Sequence, residues 1–444
     1  VVVRFSANYL DGDPRQGAFM GRLALTLSMV MLLVTSGNLF QLVVAWLGTS
    51  LALHGLLLFY AERRGAIVAA KKKFITARIG DACVVVAALL LVAAFGTADI
   101  AGIMEAAKES AKDATNAADT GAIPTIAIAA AFLIAFAALL KSAQFPTHGW
   151  LTEVMETPTP VSALLHAGII NAGGFIVIRF ADVMVLSATS LHLLAIVGGF
   201  TALFGAVVML TQSSVKVSLA WSTVAQMGFM LLQCGLGAFA LALLHIVAHS
   251  LYKAHAFLSS GSVIEIKKAS WVPDGDARPA VEKVLASFLV ALALYGVIGS
   301  LFGLYANAPS AVIVLGAILT MGTTLLVAQG MAGRTNAYVI GRTVLAAAAV
   351  TLVYFVVQGL ALSGMASTVP TPNGASAADI AIMMLAVLSF AVVTVLQIVA
   401  PVWADAPAWR AARVHLANGL YANQAFDQLV GALKIIPQKS LKAE

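Results

Sequence analysis

About a dozen apolar segments, each near the length that crosses a lipid bilayer, confine this chain to one kind of fold. A span needs about 20 apolar residues in a helix, because lipid offers no partner to an unsatisfied backbone N–H or C=O. Such segments run approximately over 17-35, 38-60, 74-96, 123-155, 160-180, 187-210, 217-233, 236-262, 281-305, 309-330, 338-363 and 378-402. Of 444 residues 61% are hydrophobic and 10% charged, where soluble domains carry roughly a quarter charged. The expected fold is all-α, a polytopic transmembrane helix bundle of about 12 spans with one helix broken near Lys141.

The net charge of +6 would suit a nucleic-acid binder only if it were gathered on one surface, and it is not. Arg4, Arg15 and Arg22, then Arg63, Arg64, Lys71, Lys72, Lys73 and Arg78, then Lys216, Lys267, Lys268, Arg278, Arg334, Arg410 and Arg413 fall at alternate ends of the spans. Cytoplasmic loops collect Lys and Arg, so both termini are expected on that side. Residues 1-16 then form a cytoplasmic N-terminal segment, 17-402 the transmembrane domain and 403-444 a cytoplasmic amphipathic tail. The chain opens Val1-Val2-Val3 without a signal-peptide pattern, and its true N-terminus is expected upstream. Cys83 and Cys234 sit in apolar helices as small hydrophobes. An amphipathic helix on the outer surface is expected in 97-122, and the charged stretch 264-280 reads as a connection between two bundles.

A charge inside a span costs about 2.5–3.5 kcal/mol even on insertion scales, so ionisable groups there point to function. Lys141 ends the apolar run Ile126 to Leu140 and precedes Ser142-Ala143-Gln144-Phe145-Pro146. Proline removes a backbone donor and disfavours helix just before it, so this span should break around Phe145, as transporter helices do at ion sites. A lysine that only snorkels to the interface is the alternative. Beyond Pro158-Thr159-Pro160, His166 lies about two turns into the next helix, beside Gly168, Gly173 and Gly174, which permit close helix approach. Its imidazole either passes a proton or is a structural hydrogen-bonded group.

His245, His249 and Lys253 follow at intervals of four along one helix face, covering roughly 12 Å. Neighbours one turn apart are too distant for direct hydrogen bonds but suit a bridging water, which makes a hydrated proton wire. No HExxH glutamate or third ligand accompanies the histidine pair, so no metal or cofactor is expected. Lys216 reads equally as an end-of-span charge and as a relay member. Asp81, three residues after Arg78, is the candidate counter-ion of Lys141. Pro146, Pro158 and Pro160 shape the turns, and Glu156 joins them or caps the following helix.

The run Lys141-Ser142-Ala143-Gln144-Phe145-Pro146-Thr147-His148-Gly149-Trp150-Leu151, followed by Met155-Glu156-Thr157-Pro158-Thr159-Pro160-Val161-Ser162-Ala163-Leu164-Leu165-His166, resembles the signature of the antiporter-like proton-translocating subunits. These include the L subunit of respiratory complex I and the Mrp-type cation/proton antiporters. Ser222-Thr223-Val224-Ala225-Gln226-Met227-Gly228 and the run His245 to Gly261 also match, so the resemblance spans roughly 1-265. It implies Lys141 as the central lysine, Lys216 and Lys253 as the continuing relay, and His166, His245 and His249 as links. Two departures stand out: Ala45-Trp46-Leu47-Gly48 has leucine where the family carries a glutamate, and 281-402 has no interior lysine or glutamate.

Within that family the pattern is most similar to the DabB membrane subunits of energy-coupled inorganic carbon pumps, on Asn8-Tyr9-Leu10-Asp11-Gly12-Asp13-Pro14-Arg15-Gln16-Gly17 and Leu51-Ala52-Leu53-His54. This implies a bacterial inner-membrane hetero-oligomer with a DabA-like zinc-binding subunit that hydrates CO2. The chain itself is then a transporter subunit, not an enzyme, with protons and membrane lipid as its other partners. Carbon chemistry is not written in its own residues. A complex I or Mrp subunit is the second reading, separable by what co-purifies, and a non-conducting scaffold, which would tolerate loss of Lys141, the third.

Overall fold

The computed structural model describes residues 1–60, 62–115, 124–262, 281–303, 309–332, 336–370, 375–399 and 406–432. Among them eleven helices are long and apolar enough to cross a membrane, and a twelfth apolar helix, Thr125–Lys141, is shorter. This matches the dozen segments legible in the sequence. Phe40, Met31 and Leu89 point outward while Thr49, Ser50 and Asp81 are buried, the inversion expected of helices bathed in lipid.

The chain divides into two compact units, the first Val1–Gly235, His245–Ser260 and Ala417–Glu444, the second Leu236–Leu244 and Gly261–Leu416. In the first unit, α1 (Val2–Tyr9) leads into α2 (Gln16–Val34), which packs on α3 (Leu39–Leu57). Asn38 starts α3 by accepting a hydrogen bond from Gln41 N at 2.8 Å, an ordinary N-cap. Next, α4 (Arg64–Phe95) has 32 residues, about 48 Å of helix against a hydrocarbon core of about 30 Å. It begins ten residues before the expected 74, because lysine is a good helix former and the charges of Lys72 and Lys73 find partners. Gly96 at φ 68° ends it in the left-handed conformation. The amphipathic segment expected in 97-122 is α5 (Ile100–Thr115); it does not lie free on a surface, since Ile100, Ile103 and Ala107 are buried as α5 meets α4 and α10 (Ala181–Met184).

The span expected over 123-155 stops early. After α6 (Thr125–Lys141) comes irregular backbone, with Ala143 at φ 50°, and then the five-residue α7 (Gly149–Glu153). The segment 160-180 is interrupted as well: α8 (Thr159–Ala167) ends at Gly168, a 3-10 turn covers Ile169–Asn171, and α9 (Ala172–Arg179) resumes. Asn171 inserts its amide between Ala167 O at 2.9 Å and Ser250 Oγ at 3.0 Å, a side-chain intrusion that breaks a helical ladder.

The tightest packing joins α11 (Ala188–Met209) to α12 (Val215–Gly235) through small residues. A Cβ on Gly228 would stand 2.5 Å from Ala202 N and 2.6 Å from Gly198 O. Helix α13 (Phe239–Leu258) follows, and its second half belongs to the first unit. In the second unit α15 (Ser310–Met331) meets α14 (Val281–Leu301), α16 (Ala337–Met365) and α17 (Ala377–Val399). Buried polar side chains described there are the hydroxyls of Ser287, Thr320, Thr323, Thr324 and Thr351 and the amide of Gln358. The charged 264-280 connection lies outside the described residues. In the tail, α18 (Pro407–Ala417) precedes α19 (Ala422–Ala432), and α19 packs on α7 in the first unit. Leu433 and Ile436, apolar residues of the tail expected to be amphipathic, lie outside the described residues.

Candidate proton path

Helix α6 spans about 26 Å, short of a hydrocarbon core of about 30 Å, and the chain loses its helix at buried Lys141, the last position of α6. The loop behind it is fixed from two directions. Ser142 Oγ donates to Ile170 O at 3.0 Å, and Gly173 lies so close that a Cβ there would meet Ser142 Oγ at 2.2 Å and Ala138 O at 2.5 Å. The Lys141 ammonium is 4.4 Å from the centre of the Trp46 ring, a cation–π contact, and has no hydrogen-bond partner among the described residues. It faces a cavity of about 20 Å³, room for about one water, lined also by Lys73, Thr76, Trp150, Ile169 and Ile170.

Asp81 is buried, and its direct ion pair is with Arg78, at 2.5 Å, one turn away on α4. No carboxylate lies within 4.0 Å of Lys141 among the described residues; Asp81 acts on it only through space, and Arg78 opposes that effect. Arg78 Nη2 also reaches Ser50 Oγ at 3.1 Å, and Lys73 Nζ donates to Ser50 O at 2.7 Å and to its hydroxyl at 3.1 Å. Lys72 and Lys73, which read in the sequence as charges of a cytoplasmic end, are both buried. The physical reason is that protein, not water, surrounds this part of α4: Lys72 pairs with Glu153 of α7 at 2.6 Å and with Asp427 of α19.

A second polar cluster forms where α8, α12 and α13 meet. The Thr223 hydroxyl donates to Leu219 O at 3.0 Å, which leaves it to accept from His166 Nδ1 at 3.0 Å. That arrangement puts the ring proton on Nδ1 and leaves buried Nε2 as a free acceptor. Lys253 Nζ donates to Ser222 Oγ at 2.8 Å and to the same Leu219 carbonyl at 3.2 Å. His166 and Lys253 are thus held on one turn of α12, while the His166 ring stacks on Phe257 at 4.3 Å. His249 is buried with neither nitrogen bonded among the described residues, and its ring centre is 6.0 Å from that of His245. The spacing is that of one helical turn, too wide for direct proton transfer and suited to an intervening water.

The other sequence candidates lie around these two clusters. Lys216, in the first turn of α12, donates to Thr159 Oγ1 at 3.1 Å at the start of α8. Pro158 and Pro160 open α8, and Pro146 lies in the irregular stretch behind Lys141. Glu156 ends a 3-10 turn, and its side chain lies outside the described residues. Ile169 and Ile170, three and four residues after His166, line the cavity beside Lys141, and no hydrogen bond joins the two clusters among the described residues. Trp46, Lys73 and Thr223 are contacts that the residue patterns alone did not bring forward. Trp46 is next to the position where the family carries its glutamate, the one signal in the sequence that could have found it.

The chain has counterparts among known proteins. Residues 36–270 match the family described as NADH:quinone oxidoreductase/Mrp antiporter, transmembrane. The chain is 40% identical to the probable inorganic carbon transporter subunit DabB2 of Halothiobacillus neapolitanus over 448 aligned residues, covering 99% of this chain and 77% of the relative. The chain belongs to this antiporter family, in its DabB group. Another DabB protein, the probable inorganic carbon transporter subunit of Hydrogenovibrio crunogenus, is 41% identical over 84% of this chain and 69% of its own length. A solved structure, that of the Mrp complex from Dietzia sp. DQ12-45-1b, superposes with a TM-score of 0.60 at 24% identity, covering 97% of this chain and 51% of the matched chain. The antiporter-like fold is therefore shared beyond the DabB proteins.

Proposed function

We propose that this chain is the proton-conducting membrane subunit of an inorganic carbon uptake complex, coupling proton motive force to a zinc-bearing, CO2-hydrating partner. One observation carries the proton reading: a buried lysine without an ion pair, at the broken end of a membrane helix, facing a cavity that holds about one water beside a second buried lysine. The carbon reading is supported by the printed names of the DabB relatives. In this scheme Lys141 holds the proton at the first cluster, with Asp81 as a counter-charge acting past Arg78. His166, Lys253, His249 and His245 take it onward, and Lys216 lies at the edge of the path. With no hydrogen bond joining them, the two clusters exchange a proton only through intervening water. The one-sided distribution of Lys and Arg supports cytoplasmic termini in a bacterial inner membrane.

The test is reconstitution of the chain with its co-purifying partner in liposomes under an imposed pH gradient, reading internal pH and uptake of labelled inorganic carbon. Gradient-driven uptake that disappears with Lys141→Ala supports the proposal. Uptake indifferent to the gradient, or full uptake by the variant, sinks it. Co-purification with NADH-oxidising or cation-antiporter machinery would favour the complex I or Mrp reading.

A further inference from the structure

Helix α7 has two faces, and each touches something different. Gly149 and Glu153, four residues apart, share one face; Glu153 holds Lys72 and Asn423, and a Cβ on Gly149 would collide with the Asn423 side chain. Trp150 forms part of the wall of the cavity that Lys73 and Lys141 share. On the far side of the first face is α19, which supplies both Asn423 and Asp427 to Lys72. Lys72 is fully buried, whereas the side chains of Glu153 and Asp427 are 29% and 23% exposed, so the network lies at the boundary between protein interior and solvent.

We propose that the tail helix α19 is a positioning element of the path: through Asp427 and Asn423 it clamps α7, and α7 keeps Trp150 in place as the wall that closes the Lys73–Lys141 cavity at this end. Release of the clamp opens the cavity to water. The contacts of the clamp are a matter of geometry; the bearing of closure on proton flux rests on the function proposed above. Lys72, Glu153, Asn423 and Asp427 touch no transported proton in this scheme. They act through Trp150.

A cysteine at Thr76, which lines the cavity, reports closure without any transport assay. In a background with Cys83 and Cys234 replaced by serine, the T76C complex is reacted in proteoliposomes with a membrane-impermeant thiol reagent. Asp427→Ala should raise the labelling rate by about tenfold or more, the factor that roughly 1.4 kcal/mol of lost closure gives, and Asp427→Glu should restore protection. Equal rates in the three proteins would overturn the proposal. Should Asp427→Ala not assemble, Asp427→Asn, of the same shape, carries the same comparison. Proton flux is read in the same vesicles. Faster labelling with a matching rise in proton leak supports clamp and path together, and faster labelling with unchanged flux upholds the clamp while overturning the proton path.

Discussion

Lys141 is stabilised by an aromatic face and a small cavity, with its nearest acid already engaged by Arg78. Removing the lysine relieves the cost of burying a charge, so Lys141→Ala and Lys253→Ala should assemble normally yet lose proton-driven uptake by about tenfold or more, measured in vesicles against the amount of complex present. Lys216→Ala, which loses one hydrogen bond to Thr159, should retain most of its activity. Asp81→Asn removes one partner of a buried pair, a loss worth about 3–5 kcal/mol when both charges are sealed from water. The Arg78 side chain is 32% exposed, so the stability cost falls below that range, and impaired uptake with a small shift in thermal denaturation is the expected pair of readings. Wild-type uptake would assign the counter-charge elsewhere. The charged members of the site were legible because a lysine or histidine inside an apolar run has few innocent explanations. Trp46 and Thr223 were not, because tryptophan and threonine are common in spans and only the fold shows which of them faces a charge. Lys72 and Lys73 read as charges of one end of a span, and that protein surrounds them shows only in the packing.

At the scale of elements, α11 and α12 are joined backbone to backbone through Gly198, Gly205, Gly228 and Gly235, with no room for a methyl group. Gly228→Ala should cost about 1–3 kcal/mol by overpacking and pull α12 away from α11, taking Thr223, Ser222 and Leu219 with it. The expected outcome is loss of both stability and proton flux, read by detergent melting and vesicle acidification; unchanged melting would show that the two helices can separate without penalty. The number of spans and the break after Lys141 could be read from hydropathy and Pro146. The break at Gly168 could not, since Ile169-Ile170-Asn171 continues an apolar run, and only the amide of Asn171 reaching Ser250 on another helix stops the ladder. Helix α4 shows the same limit at its start: ten residues of helix were hidden by a charge pattern whose partners lie 81 and more residues away in sequence.

For the molecule as a whole, the fully buried polar groups described in the second unit are hydroxyls and one amide, and half-buried Lys283 is bound to Met331 O at the start of α14, so no fully buried lysine or histidine described there continues the relay. This chain reconstituted alone should therefore conduct protons poorly, and conduct well once its partner is bound; equal flux in the two preparations would place the complete path within the chain. The way the tail is used also sets an order of events in time. Glu153 follows Lys72 by 81 residues, but Asn423 and Asp427 are translated only after every described membrane helix has been translated. Until then a nascent chain carries Lys72 with one carboxylate in place of two, so the first unit reaches its finished form last although it is made first. A chain cut before residue 422 therefore differs at Lys72 from one that carries α19: its buried ammonium keeps Glu153 and lacks Asp427.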